Sequence, residues 1–352
     1  MIMKIYNIKQ LFVAAVCVMA LAACSSDDTP TVKESQRYPI SLSNNLGVLS
    51  ADATRASGAY DAGFLSASEF WAWADMTDEG EPDPLYRIKE YIKSWFLTVN
   101  SADNSKFDAS TPKLFPVYNK LSFYAMHGNF GNVFSDNGSS FPELLYHNVM
   151  TNQTGDGNYL LSDLVYAVKP DVVPQAAPVQ LAFQHLLSKI EVALKPGAQM
   201  TEAQLKEVNT TRVTVKVLGT RTGVFFRPSK SADLTTLNGR NSMLTLDEDS
   251  EPQGITLSTV TTSDFANSTC AAAIVVPQTV NGHFICLSYQ DHNTYFDVTN
   301  LELKSGYRYR FNFTVDRIGD TFEVTPDLTV APWDAEVIKA ADFDTIEDIS
   351  AR

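Results

Sequence analysis

Cys24 is the residue whose surroundings point most directly to chemistry. It follows Leu21-Ala22-Ala23, and upstream lie Lys4, Lys9 and an uninterrupted apolar run over residues 11–20. That run is about half the ~20 residues a helix needs to span a bilayer; it fits the apolar core of a cleavable signal peptide. The small side chains of Ala22 and Ala23 let an extended backbone enter a signal peptidase. A cysteine directly after them is the lipobox arrangement, in which the thiolate, a strong nucleophile, takes up diacylglycerol. Residues 1–23 are therefore expected to leave as a lipoprotein signal peptide. Cys24 then becomes the acylated first residue and anchors the chain at the outer membrane, since several acyl chains hold where one is marginal.

Other reactive residue types form no recognisable constellation. The five histidines are His127, His147, His185, His283 and His292. None has zinc spacing, and neither HExxH, GxSxG nor a phosphate-binding glycine loop occurs. No enzyme, metal or cofactor is expected, although carboxylate pairs from distant positions are invisible in a sequence. His185, between Phe183 and Leu186, reads as a buried imidazole that pins a loop. The run Asp247-Glu248-Asp249-Ser250-Glu251 lacks the spacing of a calcium loop and reads as a solvated turn. Cys270 and Cys286 lie in apolar, strand-like stretches; two buried free thiols or one bridge are both compatible with export. Trp71 and Trp73 alternate in Phe70-Trp71-Ala72-Trp73 and would share one strand face. They could stack on a sugar or pack in a core.

Removal of residues 1–23 leaves 352 − 23 = 329 residues, enough for two domains. Loss of Lys4 and Lys9 takes the net charge from −14 to −14 − 2 = −16. That balance argues against nucleic acid and against direct binding to anionic lipid.

The elements that must position these residues are mostly strands. Short alternating segments are predicted over 39–49, 95–100, 120–127, 179–183, 190–194, 211–218, 223–226, 242–246, 254–258, 271–276, 283–289, 295–298, 307–315 and 321–325. Asn137-Gly138, Asn238-Gly239, Asn281-Gly282 and Ser305-Gly306 mark turns between them. Many short strands at this spacing indicate an all-β fold of sandwiches with minor helices. Helices are expected over 84–95, where Pro84 suits a first turn, over 142–150, and over 201–208, where Thr201 and Gln204 form a capping box. Three prolines within 169–178 suggest an extended linker. The expected layout is signal peptide 1–23; tether, first strand and loop 24–57; N-terminal sandwich 58–178; C-terminal sandwich 179–333; and tail 334–352.

The first strand has a clear face. Ile40, Leu42, Leu46 and Val48 are apolar at even positions, with Asn44 the polar one among them. A period of two puts them on one side. The loop Asp52-Ala53-Thr54-Arg55-Ala56-Ser57-Gly58 that follows is small and polar, the composition at which proteolytic nicks concentrate.

Several segments together resemble the fimbrillin family, the subunits and tip proteins of type V pili. They are Thr54-Arg55-Ala56 after an early strand; Leu160-Leu161-Ser162-Asp163-Leu164-Val165-Tyr166-Ala167; residues 179–192, including Phe183-Gln184-His185-Leu186-Leu187-Ser188-Lys189; and residues 301–315 followed by Val330-Ala331-Pro332-Trp333. Ser25-Ser26-Asp27-Asp28 is similar to a surface-export signal of lipoproteins in some Gram-negative anaerobes. The family resemblance implies two tandem transthyretin-like β-sandwich domains and a place in a surface fimbria that supports adhesion and biofilm formation. It also implies cleavage between Arg55 and Ala56 by an arginine-specific maturation protease, which frees the first strand for donor-strand exchange with other fimbrial subunits. Arg37 precedes the strand, so a cut there would open no groove. The apolar residues of the tail do not alternate cleanly, which fits an accessory or tip subunit, with a host or bacterial surface receptor as a further partner. The other reading is a glycan-binding surface lipoprotein of a polysaccharide-uptake system, with Trp71 and Trp73 as its platform.

Overall fold

The computed structural model of the chain describes residues 37–44, 68–77, 88–205, 213–260, 269–289, 292–318 and 321–332. In chain order the strands are β1 (Leu42–Asn44), β2 (Glu69–Met76), β3 (Ile88–Val99), β4 (Phe107–Ala109), β5 (Leu121–His127), β6 (Leu145–Asn148), β7 (Val165–Val172), β8 (Val179–Leu181), β9 (Gln184–His185) and β10 (Ser188–Pro196). Then follow β11 (Val213–Thr220), β12 (Gly223–Phe226), β13 (Leu244–Leu246), β14 (Gln253–Thr256), β15 (Ser258–Val260), β16 (Thr269–Val275), β17 (Thr279–Tyr289), β18 (His292–Glu302), β19 (Tyr307–Ile318) and β20 (Thr321–Pro332). Two short helices, α1 (Asp156–Leu161) and α2 (Leu237–Asn241), interrupt them, and residues 202–205 are helical as well, within the expected helix 201–208. The fold is all-β, as its alternating pattern implies.

Strands β4-β3-β2-β5-β7-β9 form an antiparallel six-stranded sheet. Both faces of its centre are buried. Phe70 meets Phe107 and Phe183 on one side (ring centroids 5.1 and 5.2 Å apart), while Trp73 packs edge-on to Phe134 and Phe141 on the other. A five-stranded sheet, β15-β16-β10-β19-β20, lies face to face with the four-stranded β14-β11-β17-β18. The aromatic pairs Phe284–Phe311 (5.6 Å) and Phe296–Phe313 (4.3 Å) join these two sheets in the manner of a sandwich. Smaller sheets complete the fold: β13-β12-β6 and the parallel pair β1-β8. Three pairings of named strands cross residue 178, namely β1 with β8, β6 with β12 and β7 with β9, and an isolated bridge between Asn152 and Thr256 crosses it too.

Strands run through the described parts of two expected helices. Residues 88–95 of the expected helix 84–95 belong to β3, where Ile88, Ile92 and Trp95 recur at spacings of four and three, as on a helix. The register explains the mimicry: these residues oppose Met76, Ala74 and Ala72 of β2, which are spaced by two. Extra residues bulge from β3 at both places, which stretches a strand period into a helical one. Glu90 sits in the first irregularity at φ 65° and donates its N–H to Asp75 Oδ1 (2.9 Å). The second expected helix, 142–150, contains β6, where Leu145 and His147 are buried while Tyr146 and Asn148 are exposed. Asn281-Gly282 is not a hairpin turn but a bulge inside β17. There Gly282 adopts φ 78°, a conformation open to glycine at no steric cost. Asn238-Gly239 lies in α2, whose first turn is capped by Thr236 Oγ1 accepting from Gly239 N–H. The predicted capping box is present: Thr201 N–H donates to Gln204 Oε1 (2.8 Å) and Gln204 N–H to Thr201 Oγ1 (3.3 Å). Strand β7 takes up residues assigned to the linker, leaving 173–178 as the connecting stretch.

Strand β10 is buried on both faces. Its odd face carries Lys189 and Glu191, both almost fully buried, with Lys189 Nζ and Arg310 Nε each 2.9 Å from the Glu191 carboxylate. A carboxylate placed between two cations holds them against their desolvation cost. Glu191→Leu, which removes it, is expected to lower the unfolding free energy by roughly 3–5 kcal/mol in urea denaturation. The double change Lys189→Met/Glu191→Leu should recover a substantial part of that loss.

Candidate functional site

The first strand lies between two neighbours. On one side Ile40 N–H donates to Lys113 O (2.8 Å), Asn44 N–H donates to Ser105 O (2.8 Å), and Tyr38 O accepts from Phe115 N–H (2.9 Å). Pro39 opposes Leu114 and Ser43 opposes Lys106, both antiparallel. On the other side β1 runs parallel to β8, with Val179 N–H donating to Ser41 O (2.8 Å). Backbone groups of even residues therefore face 105–115, and those of odd residues face β8. Side chains alternate the other way, into and out of the core: Ile40, Leu42 and Asn44 are buried, Ser41 is exposed and Ser43 half-buried. Burial of Ile40 and Leu42 is worth about 3–6 kcal/mol together, an upper figure set against an extended unfolded chain. This short segment thus fills a groove whose two walls both use its backbone.

Behind the groove, the two most distinctive sequence segments meet. Asp163 and His185 form a fully buried pair, Nδ1 to carboxylate 2.8 Å. Ser162 O accepts from His147 Nε2 (3.0 Å), and Leu160 O lies 3.2 Å from His127 Nε2. Leu186 N–H donates to Leu164 O (2.9 Å). Histidines from β5, β6 and β9 therefore pin residues 160–164, which end α1 and lead into β7. His185 is buried, as its flanks imply, and it meets Asp163, which the sequence reading does not single out. The signal was there, a lone carboxylate in an otherwise apolar stretch.

Of the remaining site residues named from sequence, Cys24, Leu46, Val48, Arg55 and Ala56 lie outside the described residues. Trp71 and Trp73 do share a face, but Trp73 is 1% exposed and its Nε1–H donates to Ser139 O (3.0 Å). Trp71 is half-buried against Phe96 and Phe134. The ring of Trp73 therefore offers no open face for a sugar. Cys286 is a buried free thiol. The acidic run forms a hydrogen-bonded turn in which Asp247 accepts from Asp249 N–H and Tyr146 Oη–H. No cluster of three metal-ligating side chains occurs among the described residues.

The pattern of the fimbrillin-like family matches residues 54–333. The chain belongs to the fimbrillin-like family. No curated protein matches it in sequence. Among solved structures, this fimbrillin-like chain is similar to a candidate cell adhesion protein from Bacteroides ovatus at 15% identity and a TM-score of 0.56, covering 86% of this chain and 99% of the other. It is also similar to one from Bacteroides uniformis at 17% identity and a TM-score of 0.51, covering 84% and 98%. The C-terminally truncated tip fimbrial protein Mfa3 from Porphyromonas gingivalis matches at 9% identity and a TM-score of 0.39, covering 83% and 99%. At these identities the first two speak for the fold alone.

His147 gives the fimbrillin-like scaffold a dependence on pH. His147 accepts from Asn129 N–H through Nδ1 (3.0 Å) and faces Ser162 O through Nε2, a network suited to the neutral ring. A Cβ on Gly128 would lie 3.0 Å from that Nδ1 and 2.7 Å from Phe130 Cζ, so only glycine fits beside it. Burial pushes the imidazole from 6.5 down to about 4. Between those values the unfolded chain binds a proton that the folded chain refuses, so stability falls as pH drops through that window. The contribution is roughly 3 kcal/mol. His147→Gln, which can donate and accept at similar places, is expected to flatten the loss of unfolding free energy between pH 7 and 4 in denaturant titrations. An unchanged pH slope would show that His147 does not set it.

Proposed function

We propose that this chain is a structural subunit of a cell-surface fimbria, acting as an accessory or tip component in adhesion and biofilm formation. The observation that carries the reading is the first strand. It is short, it buries one apolar face, and it is hydrogen-bonded on both sides, so its removal would leave two unpaired strand edges over an apolar floor. Such a groove is a template for a strand supplied by another chain. Membership of the fimbrillin-like family supports the fimbrial setting and a structural rather than enzymatic role. The fold is read as two tandem transthyretin-like sandwiches, divided near 178 and bound to each other by the strand pairings that cross it.

Assembly in this reading starts with lipid delivery through Cys24 to the outer membrane. An arginine-specific protease then cuts between Arg55 and Ala56 in the small, polar loop. The first strand leaves with the lipid, and a neighbouring subunit's strand takes its place. The exchange is driven by reburial of the apolar floor and by repair of both hydrogen-bonded edges. Amino-terminal sequencing of the protein from purified surface filaments is expected to find Ala56 as the first residue. Only chains starting at the blocked Cys24 would sink the cleavage step. Immunogold labelling confined to the cell body, with filaments bare, would sink the fimbrial reading itself.

A further inference from the structure

Alternation alone cannot position the first strand. A slip of one residue turns Ile40 and Leu42 out to solvent and is excluded by burial. A slip of two residues keeps the faces correct. In the sequence Ile40-Ser41-Leu42-Ser43-Asn44-Asn45-Leu46-Gly47-Val48 such a slip would exchange one aliphatic side chain for another, except at Asn44. That residue has no exposed surface, and its Nδ2 donates to the backbone carbonyl of Asn104 (2.9 Å) while its own N–H donates to Ser105 O. Moved by two residues, the amide would enter the site of Leu42 or leave the described groove. A different side chain would then face the Asn104 carbonyl. A buried polar group without its partner weakens a state on the order of tenfold to a hundredfold. A single buried asparagine in an apolar seam is a known register device in coiled coils, and the same physics applies to a strand in a groove.

We propose that Asn44 sets the register of the strand in this groove. The groove then selects an occupant with apolar side chains at i and i+2 and an amide donor at i+4. The first part concerns the intact chain alone; the second rests on the strand-exchange reading above.

The antiparallel pair Ser43–Lys106 provides a ruler. In the full chain, Ser43→Cys with Lys106→Cys should form a disulfide under mild oxidation, while Ser41→Cys or Asn45→Cys with Lys106→Cys should not. Adding Asn44→Leu is expected to produce the 41–106 or 45–106 link, mapped by peptide mass spectrometry. A 43–106 link that remains the sole product in the Asn44→Leu background would overturn the register claim. Should Asn44→Leu prevent folding, Asn44→Ala, which removes the amide but adds no bulk, is read in the same way. For the second part, the chain cut by an arginine-specific protease is offered a synthetic peptide of residues 37–48 or its Asn44→Leu form. The native peptide is expected to bind about tenfold or more tightly than the variant. Equal affinities would overturn the selection claim, whereas failure of both peptides to bind would count against strand exchange while the cross-links still decide the register.

Discussion

A strand edge must be paired, and an apolar face beneath it must be covered. Around the first strand both demands fall on the same few residues. Residues 105–115 and β8 each direct backbone groups at it, and Ile40 and Leu42 close the core between them. The segment is therefore intrinsic to stability although it is only peripheral in chain order. Its backbone hydrogen bonds and its two aliphatic contacts are ones that another extended chain of the same pattern could make. In the strand-exchange reading proposed above, the groove changes its occupant without standing empty, and the rest of the molecule has to stay folded while the change takes place.

That requirement gives meaning to the way the two halves interlock. The wall formed by β8 leads directly into β9, which closes the edge of the six-stranded sheet beside β7. At that corner His185 meets Asp163, and three histidines grip the carbonyls and the carboxylate of residues 160–164. On the opposite face of the sheet, Lys230 reaches over Tyr124 and Phe141 to pair with Asp75 (2.6 Å). Gln153 adds a side-chain amide to the end of the five-stranded sheet, bonded to both backbone groups of Ile274. These contacts join segments far apart in sequence without using the first strand. The scaffold around the groove is thus held by interactions in which the first strand takes no part.

Much of this was legible in the sequence, and the failures are instructive. Period-two alternation identifies the first strand, the β10 region and most strands beyond it, because apolar residues recur on one face, although in β10 the other face, with Lys189 and Glu191, is buried too. The first half of β3 reads as a helix because its bulges space Ile88, Ile92 and Trp95 as a helix would, whereas its second half reads as the strand it is. A single sequence carries no mark of the partner strand that makes the irregularity cheap. Asp163 and His185 were visible separately, but their pairing depends on two segments folding back to one corner, and nothing local encodes that. The walls of the groove were equally hidden. Residues 104–115 are polar and irregular, and they become a wall only once a strand lies beside them.

Buried polar groups recur wherever two elements have to find one another: Asn44 against Asn104, His147 against Ser162, Asp163 with His185, Lys189 and Arg310 with Glu191. None is the cheapest way to fill its site, since an aliphatic side chain of similar size would avoid the desolvation cost. In a chain of about twenty short strands, however, aliphatic alternation is nearly the same everywhere and distinguishes one pairing from another poorly. A polar group buried at a junction penalises every alternative in which it loses its partner. Net stability is exchanged for a unique register. In the proposed role of Asn44, that exchange makes it more informative about register than the aliphatic residues Ile40 and Leu42 beside it.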